Sequence, residues 1–550
     1  MNPALLLEHY ERFADAPDAI ARLRRLVLDL AVRGNVVEQD AGDEPASVLL
    51  KRVAAGKARL LDEGKASRSL GKSLNAPPHE VDARVGWVKV EAAELFPTRS
   101  GNSKLIKGKL HAEPGESRFP GYSAAGQDVW LDHWEHEGTA IILSAVGARC
   151  GKAFLAQGRW SAVANTHIVW LMPEITVPAF AMLHLNNEDF WVRNGGAQPF
   201  VKVRETLGRT FCLPPLAEQR RIVAKVDELM ALCDQLEAAR AEREAARDRF
   251  TLSTLAKLNT PDPETFGQDA RFALANLAPL TTRPDQIKQL RQTILNLGVR
   301  GKLMEQDAAD EPAAKLFQRL QSEKARLAKA GIIPRPKESA RDLDFLAEAL
   351  PAAWLPIALG DVCNLVTSGS RGWGEYYAES GPGFIRAQNI RFGEMRLDGL
   401  ACVNPPAKSE GARTQVAKGD LLIVITGAGV TNPALLDVDL GEAYVSQHVG
   451  LVRPCDTGLS PWLLLCLMAD AGGRSELTMR AYGAGKPGLN LDNIRSLSVP
   501  LPPLAEQHRI VAKVDALMAL CDQLEASITT GEHIRSRLLE AVLHNALEPV

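Results

Sequence analysis

The segment PPLAEQRRIVAKVDELMALCDQLEA at residues 214–238 returns as PPLAEQHRIVAKVDALMALCDQLEA at 502–526, with two differences in 25 positions. A second repeat accompanies it: LRRLVLDLAVRGNVVEQDAGDEPASVLLKRVAAGKARL at 23–60 resembles LRQTILNLGVRGKLMEQDAADEPAAKLFQRLQSEKARL at 290–327. The first pair is offset by 288 residues and the second by 267, while Gly138, Asn165 to Ile168 and Pro173 align with Gly419, Ser446 to Val449 and Pro454 at 281. The chain is therefore two tandem copies whose ends stayed alike while their middles diverged. A period this long exceeds the roughly 20 to 50 residues of stacked-repeat proteins, so each copy should be a whole domain plus helix, giving two pseudo-symmetric lobes.

From Leu216 to Asn259 there is no Gly or Pro, and Ile222, Val226, Leu229, Cys233 and Leu236 keep an apolar seam on one face of a coiled-coil-like helix. Its 44 residues would reach roughly 65 Å. Ile510, Val514, Leu517, Cys521 and Leu524 form the matching seam of the second copy, interrupted further on by Gly531. Pro214-Pro215 and Pro502-Pro503 stand just before each helix, where a missing N–H costs nothing. Ile20, Leu23, Val27 and Leu30, with Ile287, Leu290, Ile294 and Leu297, predict shorter amphipathic helices as partners for the seams.

The middles are Gly-rich, with short apolar runs such as AIILSAVG at 140–147, HIVWLMP at 167–173, LLIVITGAG at 421–429 and HVGLVRP at 448–454, which read as strands of α/β domains. Trp87 and Trp354, 267 residues apart, mark where each begins, after Pro77-Pro78 and Pro334-Arg335-Pro336; PDPETF at 261–266 marks a connector. The expected organisation is a helical region at 1–85, an α/β domain at 86–213, a helical spacer and connector at 214–333, a linker at 334–352, a second α/β domain at 353–501 and a C-terminal spacer helix at 502–550. No run of about 18 apolar residues occurs, and the opening residues turn polar too soon for a signal peptide, which points to the cytoplasm. The eight cysteines lack any C-x-x-C spacing and read as reduced core residues.

Motifs for bond chemistry are incomplete. ASRSLGKS at 66–73 has the Gly-Lys-Ser order of a phosphate loop but follows a charged helix rather than a buried strand, and GAGKPG at 483–488 has Pro487 where a hydroxyl is needed. Asn404-Pro405-Pro406-Ala407 is similar to the Asn/Asp-Pro-Pro-Tyr/Phe signature of amino-methyltransferases, but Ala407 stands where an aromatic would stack. Gly427-Ala428-Gly429 resembles a cofactor glycine loop yet runs into Pro433 rather than a helix, so a turn is the better reading. His133 and His136 in HWEH have no completing ligands, and His167 and His448 recur at equivalent strand starts without an acid or nucleophile partner. No catalytic residue and no metal site are expected.

Taken together, the two PPLAEQ-x-RIVAKVD segments, the VRG-x-x-x-x-EQD segments and the tryptophan-led openings resemble the specificity subunit of Type I restriction-modification enzymes, over nearly the whole chain. The resemblance implies an α+β, pseudo-two-fold tandem repeat: two α/β target-recognition domains joined and spaced by long antiparallel coiled-coil-like helices. It implies a non-catalytic, DNA-binding scaffold that recognises a bipartite double-stranded target and holds two methyltransferase subunits, with the restriction-translocase subunits joining afterwards. S-adenosylmethionine, ATP and Mg would belong to those partners, and no membrane is involved. Two other readings stay open on the residues alone: an enzyme with an unusual methyltransferase or nucleotide site, and a coiled-coil interaction module without DNA specificity.

Net charge is −3, and by count residues 86–213 hold 13 basic and 12 acidic side chains while 353–501 hold 12 and 14, so DNA contact must come from local clusters. Arg99, Lys104, Lys107 and Lys109 crowd into TRSGNSKLIKGK without an acid, a phosphate-binding candidate whose alternative is solvated charge. Arg386, Gln388, Asn389 and Arg391 in FIRAQNIRF carry groups that pair with guanine or adenine edges. Gln198 and Lys486 occupy the same position in two glycine-flanked loops, either DNA-facing tips or simple turns. Lys202 and Arg371 complete the set.

Overall fold

The computed structural model describes residues 9–65, 84, 86–187, 190–196, 198–335, 350–406, 413–481 and 488–547. Contacts divide the chain into two compact units, Met1–Glu242 with Glu532–Val550 and Arg243–Gly531. Pro77-Pro78 and Pro336 lie outside the described residues.

In the first unit, helices α1 (Ala19–Val32) and α2 (Ala46–Asp62) precede the β-rich domain and bury Leu26 and Leu30, and Leu49, Val53 and Leu60. Strand β1 (Val88–Glu91) pairs antiparallel with β12 (Thr210–Leu213), Val88 opposite Leu213, so the domain's two ends leave side by side. Between them lies an antiparallel sheet in the order β2 (Thr98–Ser100), β9 (Thr166–Trp170), β6 (Ala140–Ser144), β7 (Ala153–Ala156). A second sheet runs β4 (Gly126–Leu131), β3 (Phe119–Ser123), β8 (Arg159–Ala162), β5 (His136–Glu137), with β3 and β8 parallel. Every residue of β6 is buried, which is why its sequence is a continuous apolar run rather than an alternating one. Trp160, Trp170, Phe96, Phe180 and Phe211 fill the core; the two indoles lie 5.5 Å apart. A short hairpin, β10 (Arg193–Asn194) with β11 (Phe200–Val201), completes the domain.

The second unit repeats the plan. Strand β13 (Leu355–Ala358) pairs with β23 (Ser498–Leu501), Leu355 opposite Leu501. Its main sheet runs β14 (Cys363–Ser368), β22 (Val449–Pro454), β19 (Leu421–Val424), β20 (Pro433–Leu435), matching the order of the first sheet strand for strand. Beside it, β15 (Tyr377–Ile385) lies between β18 (Ala401–Val403) and a parallel partner, β21 (Ala443–Val445), as β3 does beside β8. The second domain also carries a hairpin, β16 (Ile390–Arg391) with β17 (Glu394–Met395), Ile390 opposite Met395. Helices α4 (Pro284–Val299) and α5 (Ala313–Lys329) precede this domain as α1 and α2 precede the other.

Helices α3 (Leu216–Asn259) and α6 (Leu504–Leu547) have 44 residues each. The seam of α3 is deepest at its start: Ile222, Val226 and Cys233 are buried, Leu229 is half-buried and Leu236 is 36% exposed. In α6, Ile510, Val514 and Cys521 are buried, with Leu517 and Leu524 partly so. The shorter helices meet the seams as expected. Arg24 of α1 reaches Asp234 at 2.8 Å and Glu237 at 2.6 Å, and Arg291 of α4 reaches Asp522 at 2.6 Å and Glu525 at 2.7 Å. Farther along, α3 ends with Leu255 and Leu258 packed with Leu280 and Leu297, while the end of α6 packs Leu539 and Val542 on Phe13, Ala16 and Ala19. Each unit thus contains the start of one long helix and the end of the other. Gly531 does not interrupt α6, although a glycine within a helix costs about 1 kcal/mol relative to alanine.

The recurring motifs converge on one joint per unit. Glu218, from PPLAEQ, accepts a hydrogen bond from the indole of Trp87 at 2.9 Å, and Glu506 does the same for Trp354 at 2.9 Å. Gln219 ties the segment down through Pro214 and Ile175 carbonyls and the Val177 N–H, and Gln507 through the Pro502 carbonyl. Arg221 forms a two-pronged ion pair with Asp43 at 2.7 and 3.1 Å, repeated by Arg509 with Asp310 at 2.6 and 3.2 Å. Gly34 and Gly301, of the VRG segments, have φ of 68° and 65°; a Cβ on Gly34 would strike the Trp87 ring, and one on Gly301 would strike Pro351 and press on the Trp354 ring. The segments that recur are those that fix a β-rich domain to its helices.

Candidate nucleic-acid interface

The sequence candidates fall in several places. Arg99 is exposed on β2, its guanidinium donating to the Gly64 carbonyl at 3.0 Å. Lys104, Lys107 and Lys109 are exposed on the following loop, where Lys107 is paired with Asp128. Gln198 is exposed at the β10–β11 hairpin tip, and Lys202, half-buried just beyond it, pairs with Glu205 at 2.9 Å. In the second domain Arg371, Gln388 and Arg391 are exposed and Arg386 is half-buried. Asn389 is buried, its amide holding a turn by accepting from the Arg386 N–H at 3.0 Å and donating to the Arg396 carbonyl at 2.9 Å. That spends the groups a base edge would need. Lys486 lies outside the described residues, as do residues 66–73 and most of GAGKPG.

Three segments of the first domain meet where the sequence showed no cluster. The turn after β6 binds the hairpin, Gly147 N–H donating to the Pro199 carbonyl at 2.8 Å and Val201 N–H to the Ala145 carbonyl at 2.9 Å. Arg149 of that turn donates to the Ala125 carbonyl, in the β3–β4 turn, at 3.0 Å. Segments 123–126, 145–152 and 192–202 together carry Arg149, Lys152, Arg193 and Lys202, the amides Asn194 and Gln198, and no Asp or Glu. Arg149 and Lys152 are exposed, and Phe200 is 42% exposed beside them. A patch with cations, amides and an open aromatic face can hold phosphates and meet base edges at once. Its members come from segments tens of residues apart, so a search for local basic runs misses it.

The second domain builds the same turn with other side chains. After β19, Thr426 bridges Gly488 as Val146 bridges Phe200, and Gly147-Ala148-Arg149 becomes Gly427-Ala428-Gly429. Gly427 and Gly429 have φ of 91° and 82°, and β20 follows, so this glycine segment is a turn between strands. Beside it stands the β16–β17 hairpin, whose Gly393 N–H donates to the Pro433 carbonyl at 2.8 Å and which presents exposed Arg391 and Phe392. Arg474 lies over the Phe392 ring, 5.0 Å from its centroid.

The remaining chemical motifs are absorbed by packing. His136 sits against Trp160 and Trp170, centroids 4.9 and 5.6 Å away, and burial holds its pKa below the usual imidazole value; burial does the same to His167. His448 Nδ1 meets the Thr426 hydroxyl at 2.5 Å. Among the described residues no group of three or more His, Cys, Asp or Glu is placed to hold a metal. Asn404 at the end of β18 donates its N–H to the Tyr376 carbonyl at 2.8 Å, and Ala407 lies outside the described residues. All eight cysteines are free; Cys150, Cys233, Cys363, Cys466 and Cys521 are buried and the other three partly so.

The Type I restriction modification DNA specificity domain matches residues 351–530. The specificity subunit of the Type I restriction enzyme EcoAI from Escherichia coli is 27% identical over 559 residues, covering 96% of this chain and 94% of that one. The EcoEI specificity subunit, also from Escherichia coli, is 26% identical over 566 residues with the same coverage. A solved chain from a study of complex assembly and conformational transition in the type I R-M system covers 85% of this chain and 99% of its own, at 18% identity and a TM-score of 0.46.

Proposed function

We propose that the chain, which is similar over most of its length to specificity subunits of Type I restriction enzymes, is the sequence-reading subunit of a Type I restriction-modification complex, non-catalytic by itself. Each β-rich domain reads one half of a split double-stranded target. The observation that carries this reading is the contrast between joints and tips: the joints are the same residues twice, while the turns displayed on matching strands differ between the two domains. Identical mounting with different tips is what two readers of two different sequences require.

A wrong base pair typically costs about 1 to 3 kcal/mol. A domain reading roughly three or four pairs therefore discriminates weakly against a genome, and two linked domains combine their discrimination only if their separation is held. The long helices act as that spacer and as the platform for two methyltransferase subunits, with restriction-translocase subunits joining afterwards. S-adenosylmethionine, ATP and Mg act on those partners, and the complex works in the cytoplasm. Among the described residues no helix is long and apolar enough to cross a membrane. Near-balanced charge in each reading domain implies weak binding by the isolated chain, strengthened when a methyltransferase encloses the duplex.

The test is transfer of labelled methyl groups from S-adenosylmethionine to DNA, with the purified chain, with a partner methyltransferase, and with both. The reading requires sequence-specific transfer only with both; transfer by the chain alone would overturn it.

A further inference from the structure

We propose that Arg149 is a specificity-determining residue of the first domain, reading a base pair of one half-site from the turn after β6. This deepens the DNA-reading function above and rests on it. The two domains build this turn on matching strands, β6 leading to β7 and β19 leading to β20, and each is tied by an antiparallel bridge to the loop that precedes its long helix. The mounting is thus shared. The turns differ at several positions, among them the third residue, arginine at 149 and glycine at 429.

Arg149 is exposed, yet its guanidinium is not left to wander. One terminal nitrogen donates to the Ala125 carbonyl at 3.0 Å, which aims the group and leaves its other N–H donors available. A guanidinium held in this way loses little conformational freedom on binding and presents the fork that matches the O6 and N7 acceptors of guanine in the major groove. Lys152 on the same turn is exposed, and Gln198 and Phe200 on the bridged hairpin flank it. No carboxylate occurs in the three segments that build the patch. Arg149 supplies base discrimination and Lys152 phosphate attraction, because a compact ammonium neutralises charge without distinguishing bases.

The experiment selects duplexes from a random-sequence library with the full chain assembled with its methyltransferase partner. Wild type, Arg149→Ala, Arg149→Lys and Lys152→Ala are compared after gel filtration has shown that each assembles. Arg149→Ala should flatten the preference at one or two base pairs of one half-site, by roughly 5- to 150-fold for each contacted pair, and leave the other half-site unchanged. Arg149→Lys should retain part of that preference, and Lys152→Ala should weaken all duplexes alike while lowering the salt dependence. An unchanged motif with Arg149→Ala, a uniform loss across all sequences, or a change in both half-sites would overturn the inference while leaving the bipartite reading intact. A wild-type complex that selects no motif would instead remove the function on which it rests.

Discussion

The indole N–H of Trp87 donates to the buried carboxylate of Glu218 at 2.9 Å across 131 residues of chain, and the second copy repeats the bond between Trp354 and Glu506 at the same distance. Trp87 opens the first β-rich domain and Glu218 lies in the first turn of the long helix that leaves it, so this hydrogen bond, with the Gln219 and Arg221 contacts, holds the domain to the helix. Replacing Glu218 by alanine leaves a buried donor without an acceptor, at a cost of about 1 to 3 kcal/mol. Thermal unfolding should show a lower Tm, and Glu218→Gln, which keeps an acceptor oxygen, should be milder. Equal loss in the two variants would mean that the bond itself carries little.

Burial pushes the Glu218 and Glu506 carboxyls above the usual range, opposed by the indoles and by Arg221 and Arg509. The folded state therefore holds protons that the unfolded chain has already released, so this contribution is complete below the ordinary glutamate value and declines as pH rises through the raised one. Glutamine at both positions keeps an acceptor oxygen and removes the titration. The Tm of Glu218→Gln/Glu506→Gln, relative to wild type, should rise as pH is raised upward from the ordinary glutamate value of about 4.3. A difference independent of pH would refute this account of the joint.

Arg221 and Asp43 join two sequence segments 178 residues apart, with the carboxylate 9% exposed and the guanidinium 37%. Removing the arginine strands a nearly buried charge, which should cost about 1 to 3 kcal/mol after allowance for the exposed partner. Asp43→Ala in the same molecule should recover part of the loss. A double-mutant cycle in chemical denaturation reads the coupling, and strict additivity would contradict it.

Gly34 and Gly64 share a left-handed backbone, φ 68° and 69°, but only Gly34 has an indole against the face where a Cβ would point. Alanine at Gly64 should cost about 1 kcal/mol for the backbone alone. Gly34→Ala should cost more, with a change in Trp87 fluorescence that Gly64→Ala lacks. Comparable unfolding midpoints would contradict the packing argument.

The seam offers a graded test. Ile222 and Ile510 are fully buried while Leu229 and Leu517 are half-buried. Aspartate at either isoleucine should therefore unfold its joint, whereas Leu229→Asp or Leu517→Asp should leave a folded chain with impaired partner docking. Gel filtration with the methyltransferase, alongside circular dichroism, separates the two. Full assembly by the leucine variants would count against a docking role.

Periodicity and repetition made much of this legible beforehand. The absence of Gly and Pro from 216 to 259 marked a helix of the length observed. What repetition could not supply was the reason for it: Glu218, Gln219 and Arg221 read as ordinary polar helix residues until Trp87, Ile175 and Asp43 are seen opposite them. The candidate interface was less legible for the same physical reason. Side chains of a β-rich domain gather from distant segments at loop clusters, so Arg149 and Lys152 gave no local signal, and the amide-rich FIRAQNIRF placed Asn389 where its amide folds the chain rather than facing outward.

Exchange of residues 86–213 for the matching domain of a relative, followed by mapping of methylated bases in the genome of cells expressing the complex, tests the division into two readers most directly. The account predicts a motif with one half replaced and the other half and its spacing retained. A motif identical to that of the parent, or altered in both halves, would contradict it.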